Sequence, residues 1–487
     1  MVEDGPAEAA HPGAAALAAH AAGAQRGADH ARASGGDGGR FGRLFPELAG
    51  FEPETHVLEA LARSMFPGGR PAAGADTGTD TGAGLEPGEN PDLAAGYTYL
   101  GQFVDHDITF DPLSSLERQN DPAALRSYRT PVFDLDSLYG SGPVASPYLY
   151  DQEDPAKLLL GHNTGTFEDP EDLPRNRQGR ALITDPRNDV HVIISQLHLA
   201  FMRFHNAVVD HLRDQFTPGD DVFTAAQRLT RWHYQWVVVH DYLRRLVGPV
   251  LDEVLVVDPA GGAPRVALSF YRPEPEPFIP LEFSGAAYRF GHSQVRARYR
   301  LTSGGELIHI LVPFREPNPL QHLGGFRPLP RGWTLQWDLY FPIDGSAPQL
   351  SRRIDTKMTG SFAELPEEID PPRRSLALLN LLRGRALGLP SGQAVAAAMG
   401  TSMPDRELGL GGEVPLWFYL LRESEVVGEG RRLGPTGGRI VAEVFLGMLA
   451  ADPSSFLNAG SAWTPELVSE HAGHFTMADL LRFAGVA

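Results

Sequence analysis

One stretch of the chain, residues 99–112, places polar side chains that could take part in chemistry among apolar ones. It reads YLGQFVDHDITFDP, and as a helix it would bury its leucine, phenylalanine and valine. Gln102 and His106 would then lie one turn apart on one face, with Asp105 on the same flank. Burying a carboxamide, an imidazole and two carboxylates is costly unless each has a partner. We therefore predict a functional site here in preference to a solvated acidic helix end.

The composition is that of a globular protein with a sizeable core, and it excludes several classes of partner. The chain has 487 residues and a net charge of −19, which argues against nucleic acids and anionic membranes as partners. No stretch approaches about 18 uninterrupted apolar residues, so we predict no transmembrane helix. The N-terminus starts acidic without a basic flank, so no Sec signal is expected. Both a cytoplasmic location and export by a non-Sec route remain open.

Cysteine is absent from the chain. Its absence excludes disulfides, thiolate haem ligation, iron–sulfur clusters, cysteine nucleophiles and cysteine-type zinc sites. It leaves the compartment undecided, because a chain without thiols is stable in either redox environment.

Apolar spacing and breaker residues predict a mainly α chain with long connections and little strand. Residues 1–40 are predicted to be disordered, and 41–91 to form an N-terminal arm with a flexible Gly/Pro-rich loop across 67–93. A short β excursion is expected within 250–275, and 300–350 should be largely loop. The predicted helices are Asp185–Leu212, Thr224–Leu246, Pro280–Arg298, Ser375–Leu387, Leu416–Val426 and Gly437–Leu449.

Three of the 17 histidines, His191, His198 and His205, recur every seven residues on one predicted helix. At about 1.5 Å per residue they stand roughly 10 Å apart, so no two of them can bind one metal ion directly. We interpret all three as packed or capping histidines.

His292 lies in a different setting, RFGHSQV, with the small residues Gly285, Ala286 and Ala287 one and two turns earlier. Small side chains around one imidazole let something flat and bulky approach the backbone closely. Considered alone, His292 would more often be structural.

The stretch 129–142, RTPVFDLDSLYGSG, carries hard oxygen ligands at near-alternate positions: Thr130, Asp134 and Asp136, with the Val132 carbonyl between them. A loop can wrap Ca²⁺ in this way, although the glycine and final glutamate of an EF-hand are missing. An exposed acidic turn is an equally good interpretation.

Arg187 follows Asp-Pro at a predicted helix start. It could stabilise a developing oxyanion at the mouth of a buried site, or it could pair with Asp185 or Asp189 on the surface. The residues alone leave both possibilities open.

Five segments match a known family in order, across roughly Asp92 to the C-terminus. They are GQFVDHDITF, TPVFDLDSLYG, DPRNDVHVIISQLHLAFMRFHN, AAYRFGHSQVR and LLNLLRGRALGLP. On these segments the chain resembles the animal-type haem peroxidases of the peroxidase–cyclooxygenase superfamily, in particular their bacterial branch. The resemblance implies one large, mainly α haem-peroxidase domain over 92–487, with long loops and little β.

The resemblance also implies a role for each site residue. The catalytic residues would be His106 as distal histidine, Gln102 beside it, and Arg187 as distal arginine. For haem b, the binding residues would be His292 as axial iron ligand, Asn380 accepting a hydrogen bond from its ring N–H, Asp105 as the site of an ester to a haem methyl, and Arg289. For Ca²⁺, the ligands would be Asp107, Thr130, Val132 (by its carbonyl), Asp134 and Asp136.

The implied enzyme is a haem peroxidase. A neutral axial imidazole leaves the sixth iron position to H₂O₂, and His106 would pass a proton between the two peroxide oxygens. Arg187 would supply positive charge as the O–O bond breaks. Peroxide would be reduced through a ferryl intermediate, which oxidises small organic donors, halides or pseudohalides.

Some positions depart from the family pattern. Val190 stands where many members have a glutamate that forms a second haem ester, and His191 where one mammalian subgroup has a methionine bonded to a haem vinyl. At most one ester, through Asp105, is therefore expected. After Asn380 the chain reads Arg385–Ala386–Leu387 where the animal enzymes have arginine–aspartate–histidine.

Two other functions are compatible with the same resemblance. A haem-dependent fatty-acid dioxygenase would need a tyrosine beside the haem as radical carrier, and Tyr340 is the candidate, although it lacks the histidine-flanked setting of the cyclooxygenase tyrosine. A calcium-stabilised binding protein that has lost haem is disfavoured, because every haem-contacting position is filled. The electron donor and oligomeric state stay open.

Overall fold

The computed structural model describes residues 41–487 except 67–87, 110–130, 164, 218–220, 258–263, 274–276, 312–317, 366–373 and 461–462. Within these ranges the chain is mainly helical with few strands, as the sequence predicts. The segment 1–40 and most of the predicted loop at 67–93 lie outside the described residues.

The α-helices of the described part follow in chain order: α1 Thr55–Ser64, α2 Ala95–Ile108, α3 Asp136–Tyr139, α4 Gly142–Ala145, α5 Val192–Arg213, α6 Val222–Trp236, α7 Arg244–Val247, α8 Val250–Val254, α9 Leu281–Gly285, α10 Gly291–Gln294, α11 Leu376–Ala386, α12 Gly392–Met399, α13 Asp405–Leu408, α14 Leu416–Val427, α15 Pro435–Ala451 and α16 Met477–Phe483. A π-helix, Val237–Leu243, joins α6 to α7, so the helix predicted over 224–246 is continuous. Helix α5 is preceded by a 3₁₀ turn, Pro186–Asp189.

The described strands are short and join in pairs, and two of these pairs, β1–β5 and β2–β8, tie distant segments together. They are β1 Phe41–Gly42, β2 Glu89–Ala94, β3 Leu255–Val256, β4 Arg265–Val266, β5 Ile279–Pro280, β6 Arg298–Arg300, β7 Leu307–His309 and β8 Leu350–Arg352. β1 pairs with β5 in parallel, and β2 with β8, β3 with β4 and β6 with β7 in antiparallel fashion.

The N-terminal arm packs onto the body of the protein. Besides the β1–β5 pair, the backbone N–H groups of Leu44 and Phe45 donate to the buried carboxylate of Glu282 at 3.0 and 3.3 Å. Helix α1 packs against α11. The boundary between arm and catalytic domain near residue 92 stays a prediction.

The prediction of one continuous helix over 280–298 is wrong. The chain forms α9, a 3₁₀ turn at Ala287–Arg289, α10 and then β6. The break comes at Ala286, whose φ of −141° and ψ of −68° are not helical. A Cβ on Gly285 would lie 2.7 Å from Leu387 Cδ1. The small residues therefore permit close packing of a broken segment, which the helical interpretation of the pattern missed.

One smaller prediction also needs correction. Residues 89–93, assigned to the flexible loop, belong to β2, where pairing with β8 orders them. The short β excursion expected within 250–275 is confirmed as the β3–β4 pair, which follows α8.

Helix α5 runs through the core, in contact with α2, α6 and α16. It is the one described helix long and apolar enough to cross a membrane, but 83% of its most apolar window is buried within the protein. The length and hydropathy of α5 are therefore those of a core helix.

Helix α2 packs closely against Tyr242 at Gly101. A Cβ there would lie 2.1 Å from the Tyr242 hydroxyl, so only glycine fits. The Tyr288 hydroxyl donates to the Gly101 carbonyl at 3.1 Å and lies 3.1 Å from the Tyr242 hydroxyl. These contacts attach α2 to the segment that carries His292.

Candidate active site

His106 is fully buried in the last turn of α2 and is held through Nδ1. This atom lies 2.7 Å from Asn188 Oδ1, and Asn188 Nδ2 lies 3.0 Å from His198 Nδ1. Burial, followed by the positive charge of Arg187, lowers the pKa of His106 to about 3. The imidazole is therefore neutral near neutral pH. With Nδ1–H donated to Asn188, Nε2 carries the lone pair that can accept a proton.

Gln102, one turn before His106, has its Oε1 2.9 Å from His191 Nε2. His191 also caps α5, because its Nδ1 accepts the backbone N–H of Ile194 at 3.2 Å. His205 lies between the Tyr139 hydroxyl and the Ala156 carbonyl, at 3.0 and 2.9 Å. The prediction that these histidines are packed or capping is confirmed.

Arg187 combines the two interpretations of its sequence. It pairs with Asp185 at 2.7 Å, but its side chain is only 12% exposed. Its Nη2 also donates to the carbonyl oxygens of His106, at 3.1 Å, and of Thr109. Asp189 pairs with Arg175 instead, at 2.7 Å. The guanidinium charge of Arg187 is therefore held beside His106 in the interior.

The predicted pairing of His292 with Asn380 is present, with His292 Nδ1 3.0 Å from Asn380 Nδ2. Burial, followed by the charges of Arg289 and Arg383, lowers the pKa of His292 well below its usual range, so the ring is neutral. Asn380 Nδ2 also donates to the Leu376 carbonyl at 2.9 Å, and its buried Oδ1 has no hydrogen-bond partner in the described part of the chain. The predicted bond, with Asn380 accepting from Nδ1–H, requires this amide to turn so that Oδ1 faces the ring.

Two buried arginines lie near this histidine. Arg289 Nε donates to the Ser284 carbonyl at 2.8 Å, whereas Nε and Nη1 of Arg383 have no hydrogen-bond partner among the described residues. Burial lowers the pKa of Arg383 well below its usual range, the charge of Arg289 adds to this, and the carboxylate of Asp105 opposes it. A buried guanidinium of this kind calls for an anionic partner.

Helix α2 and the segment that carries His292 lie close to each other. Burial lowers the pKa of Arg289. The negative charge of Asp105 on α2 opposes this shift, and the positive charge of Arg187 adds to it. Helices α2 and α10 are also in direct contact. Gln102 and Asp105 are partly exposed on an otherwise buried helix, as expected for residues that line an opening.

A second cluster lies next to His106. The carboxylates of Asp107, Asp134 and Asp136 each bring an oxygen within 4.8 Å of the others. Val132 is described and half-buried beside them, whereas Thr130 lies outside the described residues. Leu135 has a φ of +57°, a strained conformation that the surrounding structure must impose.

The sequence profile of animal haem peroxidases matches residues 114–410, more than half of the chain. The chain belongs to the animal haem peroxidase family. Membership places it among oxidoreductase enzymes, as the resemblance implied. The matched region contains Arg187, His292 and Asn380 and begins after α2.

Curated relatives of this animal haem peroxidase match only part of its length. The chain in turn spans about half of the length of each relative or less. A peroxidase-like protein of Margaritifera margaritifera is 30% identical over 219 residues, which are 42% of this chain and 26% of the relative. Heme peroxidase 2 of Caenorhabditis elegans is 22% identical over 376 residues, 72% and 51% of the two chains. Mouse thyroid peroxidase is 24% identical over 290 residues, which are 54% of this chain and 29% of the relative.

Solved structures show that the fold is shared. Peroxidase A of Dictyostelium discoideum superposes with a TM-score of 0.57 at 15% identity, covering 90% of this chain and 92% of that one. A fatty acid alpha-dioxygenase of Oryza sativa gives 0.50 at 16% identity, covering 75% and 69%. At these identities the likeness concerns the fold alone.

The residues of this family member fit haem b on three observations. His292 is 9% exposed, whereas its neighbours Ser293 and Gln294 are at most 1% exposed. A Cβ on Gly291, the residue before His292, would meet nothing within 4 Å, so there is open space at this glycine. Nε and Nη1 of the buried Arg383 have no hydrogen-bond partner among the described residues, which suits the carboxylates of a porphyrin.

Sequence reasoning missed Asn188 and Arg383. Arg383 follows Asn380 by three residues on α11 and shares its side of the helix, a spacing that could have identified it. Asn188 directly follows Arg187, but nothing in the sequence shows that its side chain reaches His106 and His198.

Proposed function

We propose that this chain is a haem-dependent peroxidase that reduces H₂O₂ and oxidises a small organic donor, a halide or a pseudohalide. The observation that carries the proposal is a pair of buried, neutral histidines on two helices in contact, α2 and α10: His106 lies beside Arg187, and His292 lies beside Asn380. Assignment to the bacterial branch of the family stays a prediction.

In this proposal His292 would hold haem b as the ligand to its iron, and Asn380 would orient the imidazole at Nδ1. Arg289 and Arg383 bind the anionic edge of the porphyrin. The bound haem supplies the redox chemistry that cleaves peroxide and oxidises the donor.

His106 acts as the general acid–base in this proposal. Its Nε2 takes the proton of peroxide, and Asn188 stabilises the imidazolium by accepting from Nδ1–H. Burial and then the nearby guanidinium of Arg187 lower the pKa of His106, so the imidazole is neutral beforehand and its proton returns readily to the departing oxygen. Asp185 holds that guanidinium in position.

The direct test is the absorption spectrum of the purified, haem-loaded chain before and after H₂O₂, followed by oxidation of guaiacol and iodide. A Soret band that changes on adding peroxide, together with donor turnover, is expected. Stoichiometric haem without peroxide-dependent turnover of either donor would refute the proposal.

The alternative, a fatty-acid dioxygenase, has weaker support. Its candidate residue, Tyr340, is fully buried, and its hydroxyl donates to the Arg300 carbonyl at 3.0 Å. The relatives reported above are peroxidases, and the dioxygenase likeness concerns the fold alone.

We further propose that Asp107, Asp134 and Asp136, with Thr130 and the Val132 carbonyl, bind Ca²⁺. Oxygen ligands on a short loop suit this ion. Arg231 Nε donates to the Asp134 carbonyl, and Gln235 Nε2 donates to the Phe133 carbonyl at 2.9 Å, so α6 holds the loop in place. Because Asp107 adjoins His106, the ion would brace the end of α2.

Removal of calcium should therefore lower both the melting temperature and the peroxidase rate, because the carboxylates repel one another once the ion is gone. We expect Asp134→Ala to behave like EGTA-treated protein, whereas Asp214→Asn, at an exposed aspartate after α5, should not. Elemental analysis and thermal melting measure both effects. Fully active protein without calcium would contradict the assignment.

Asp105 is proposed to form one ester to a haem methyl, while Val190 cannot form a second. After a few equivalents of peroxide, haem should resist acidified-acetone extraction from the wild type and leave Asp105→Asn. The matched variant Asp92→Asn, at an exposed aspartate, should retain its haem. Extraction of haem from wild type and Asp105→Asn alike would show that Asp105 is only a polar wall of the space.

A further inference from the structure

The start of helix α5 determines the tautomer of one histidine. The backbone N–H of Ile194 donates to His191 Nδ1 at 3.2 Å, so Nδ1 must carry a lone pair. The ring proton of the neutral imidazole is therefore on Nε2, which lies 2.9 Å from Gln102 Oε1. A backbone N–H can only donate, so the Ile194 N–H leaves the ring proton of His191 on Nε2. That proton needs an acceptor, so the Gln102 amide must present its oxygen, and not its NH₂ group, to His191.

The surroundings of His191 keep this arrangement in place. Its ring is buried and packs edge-on against Tyr99, with centroids 5.0 Å apart. Burial lowers the pKa of His191 to about 3, so the ring stays neutral and keeps one donor and one acceptor near neutral pH. A second proton on Nδ1 would break the helix cap.

The consequence concerns the opposite end of Gln102. Its oxygen is occupied by His191, and no other hydrogen bond of this side chain is present among the described residues. Gln102 is partly exposed between the buried Gly101 and Phe103, on the same flank as the partly exposed Asp105. The amide NH₂ group is thus the polar end left to face the active-site space.

We propose that His191 is a positioning residue that locks the Gln102 amide with its NH₂ group toward the active site. Gln102 can then only donate hydrogen bonds to a ligand in the active site. It therefore favours ligands that bring a negative charge or a lone pair, such as fluoride or the oxygens of peroxide. The inference rests on the proposed function for the nature of the space, but the hydrogen-bond chain itself does not depend on haem.

His191→Asn separates positioning from capping. Asparagine is a good helix cap and can still accept the Ile194 N–H, but it is too short to reach Gln102. The melting temperature and Soret band of this variant should therefore match the wild type. Its fluoride dissociation constant, from spectral titration of the ferric holoprotein, should rise by about 3- to 10-fold, because the amide can then turn its oxygen toward the anion.

A double-mutant cycle with Gln102→Leu tests whether the effect passes through the glutamine. Gln102→Leu alone should weaken fluoride binding about 10-fold or more, and His191→Asn should then add less than about two-fold. Fluoride binding by His191→Asn within two-fold of wild type would overturn the inference. So would an equal loss from His191→Asn in both backgrounds, which would indicate a general structural effect.

The tautomer is measured independently, by long-range ¹H–¹⁵N spectra of the full chain in its diamagnetic ferrous–CO form. The His191 signals, identified by their loss in His191→Asn, should show Nε2 protonated and Nδ1 unprotonated from pH 5 to 8. An Nδ1–H tautomer or an imidazolium would overturn the inference. A chain that binds no haem would refute the proposed function instead, and the same spectra of the haem-free protein would still decide the role of His191.

Discussion

Replacing His292 by alanine should abolish stable haem binding. Loss of partners around a ligand commonly costs 10- to 100-fold in affinity, so loss of the ligand itself should cost more than about 100-fold. Burial already keeps the His292 ring neutral, and its lone pair is available to a metal without prior loss of a proton. Reconstitution with haemin, followed by measurement of the Soret band, quantifies the effect.

The design includes a rescue and a control. His292→Gly leaves space where Gly291 already borders an opening, so added imidazole should restore the Soret band. His211→Ala changes an exposed histidine at the end of α5 and should bind haem like the wild type. An unaltered Soret band in His292→Ala would show that another residue ligates the iron.

The second large effect is expected at His106. His106→Ala should bind haem normally, but its reaction with H₂O₂ should slow by about 10²-fold or more, because the group that moves the proton is gone. Stopped-flow absorption at the Soret band measures the rate. His211→Ala again serves as the control, and a rate within a few-fold of wild type in His106→Ala would remove the histidine from the mechanism.

The pH dependence of the same rate gives a further check on His106. Its pKa of about 3 lies below the ordinary value of 6.5, so the proton-accepting form predominates above pH 3 and is lost only as the pH falls through that value. The wild-type rate should therefore show no acid limb from His106 between pH 5 and 8. A midpoint near 6.5 that disappears in His106→Ala would contradict the buried, neutral imidazole.

The sequence predicted those parts of the site that lie close together along the chain. Gln102, Asp105 and His106 share a flank of α2 because residues three and four apart are neighbours on a helix. The mainly α class, now confirmed, followed from apolar spacing, and the helix predicted over Ser375–Leu387 is present as α11, Leu376–Ala386. Family motifs then brought His292 and Asn380 together, and the structure confirms their contact.

Other features depended on contacts between residues far apart in sequence. The segment 280–298 has the composition of a helix, yet packing of Gly285 against Leu387 and the turn at Ala286 break it. Arg187 could equally have been a surface residue, and the carbonyl oxygens at the end of α2 hold it inside. Packing energy exceeds local propensity at such positions, so local patterns cannot reveal them.

By itself the sequence determined the helical class, the set of polar residues on α2 and the separation of the three histidines on α5, because helical periodicity is a local property. Only the tertiary structure decided the partner of each group, Asn188 for His106 and His191 for Gln102. It also leaves Nε and Nη1 of Arg383 without a hydrogen-bond partner among the residues it describes. Hydrogen-bond direction and burial arise when distant segments meet, and they determine the tautomers and pKa values on which the proposed chemistry depends.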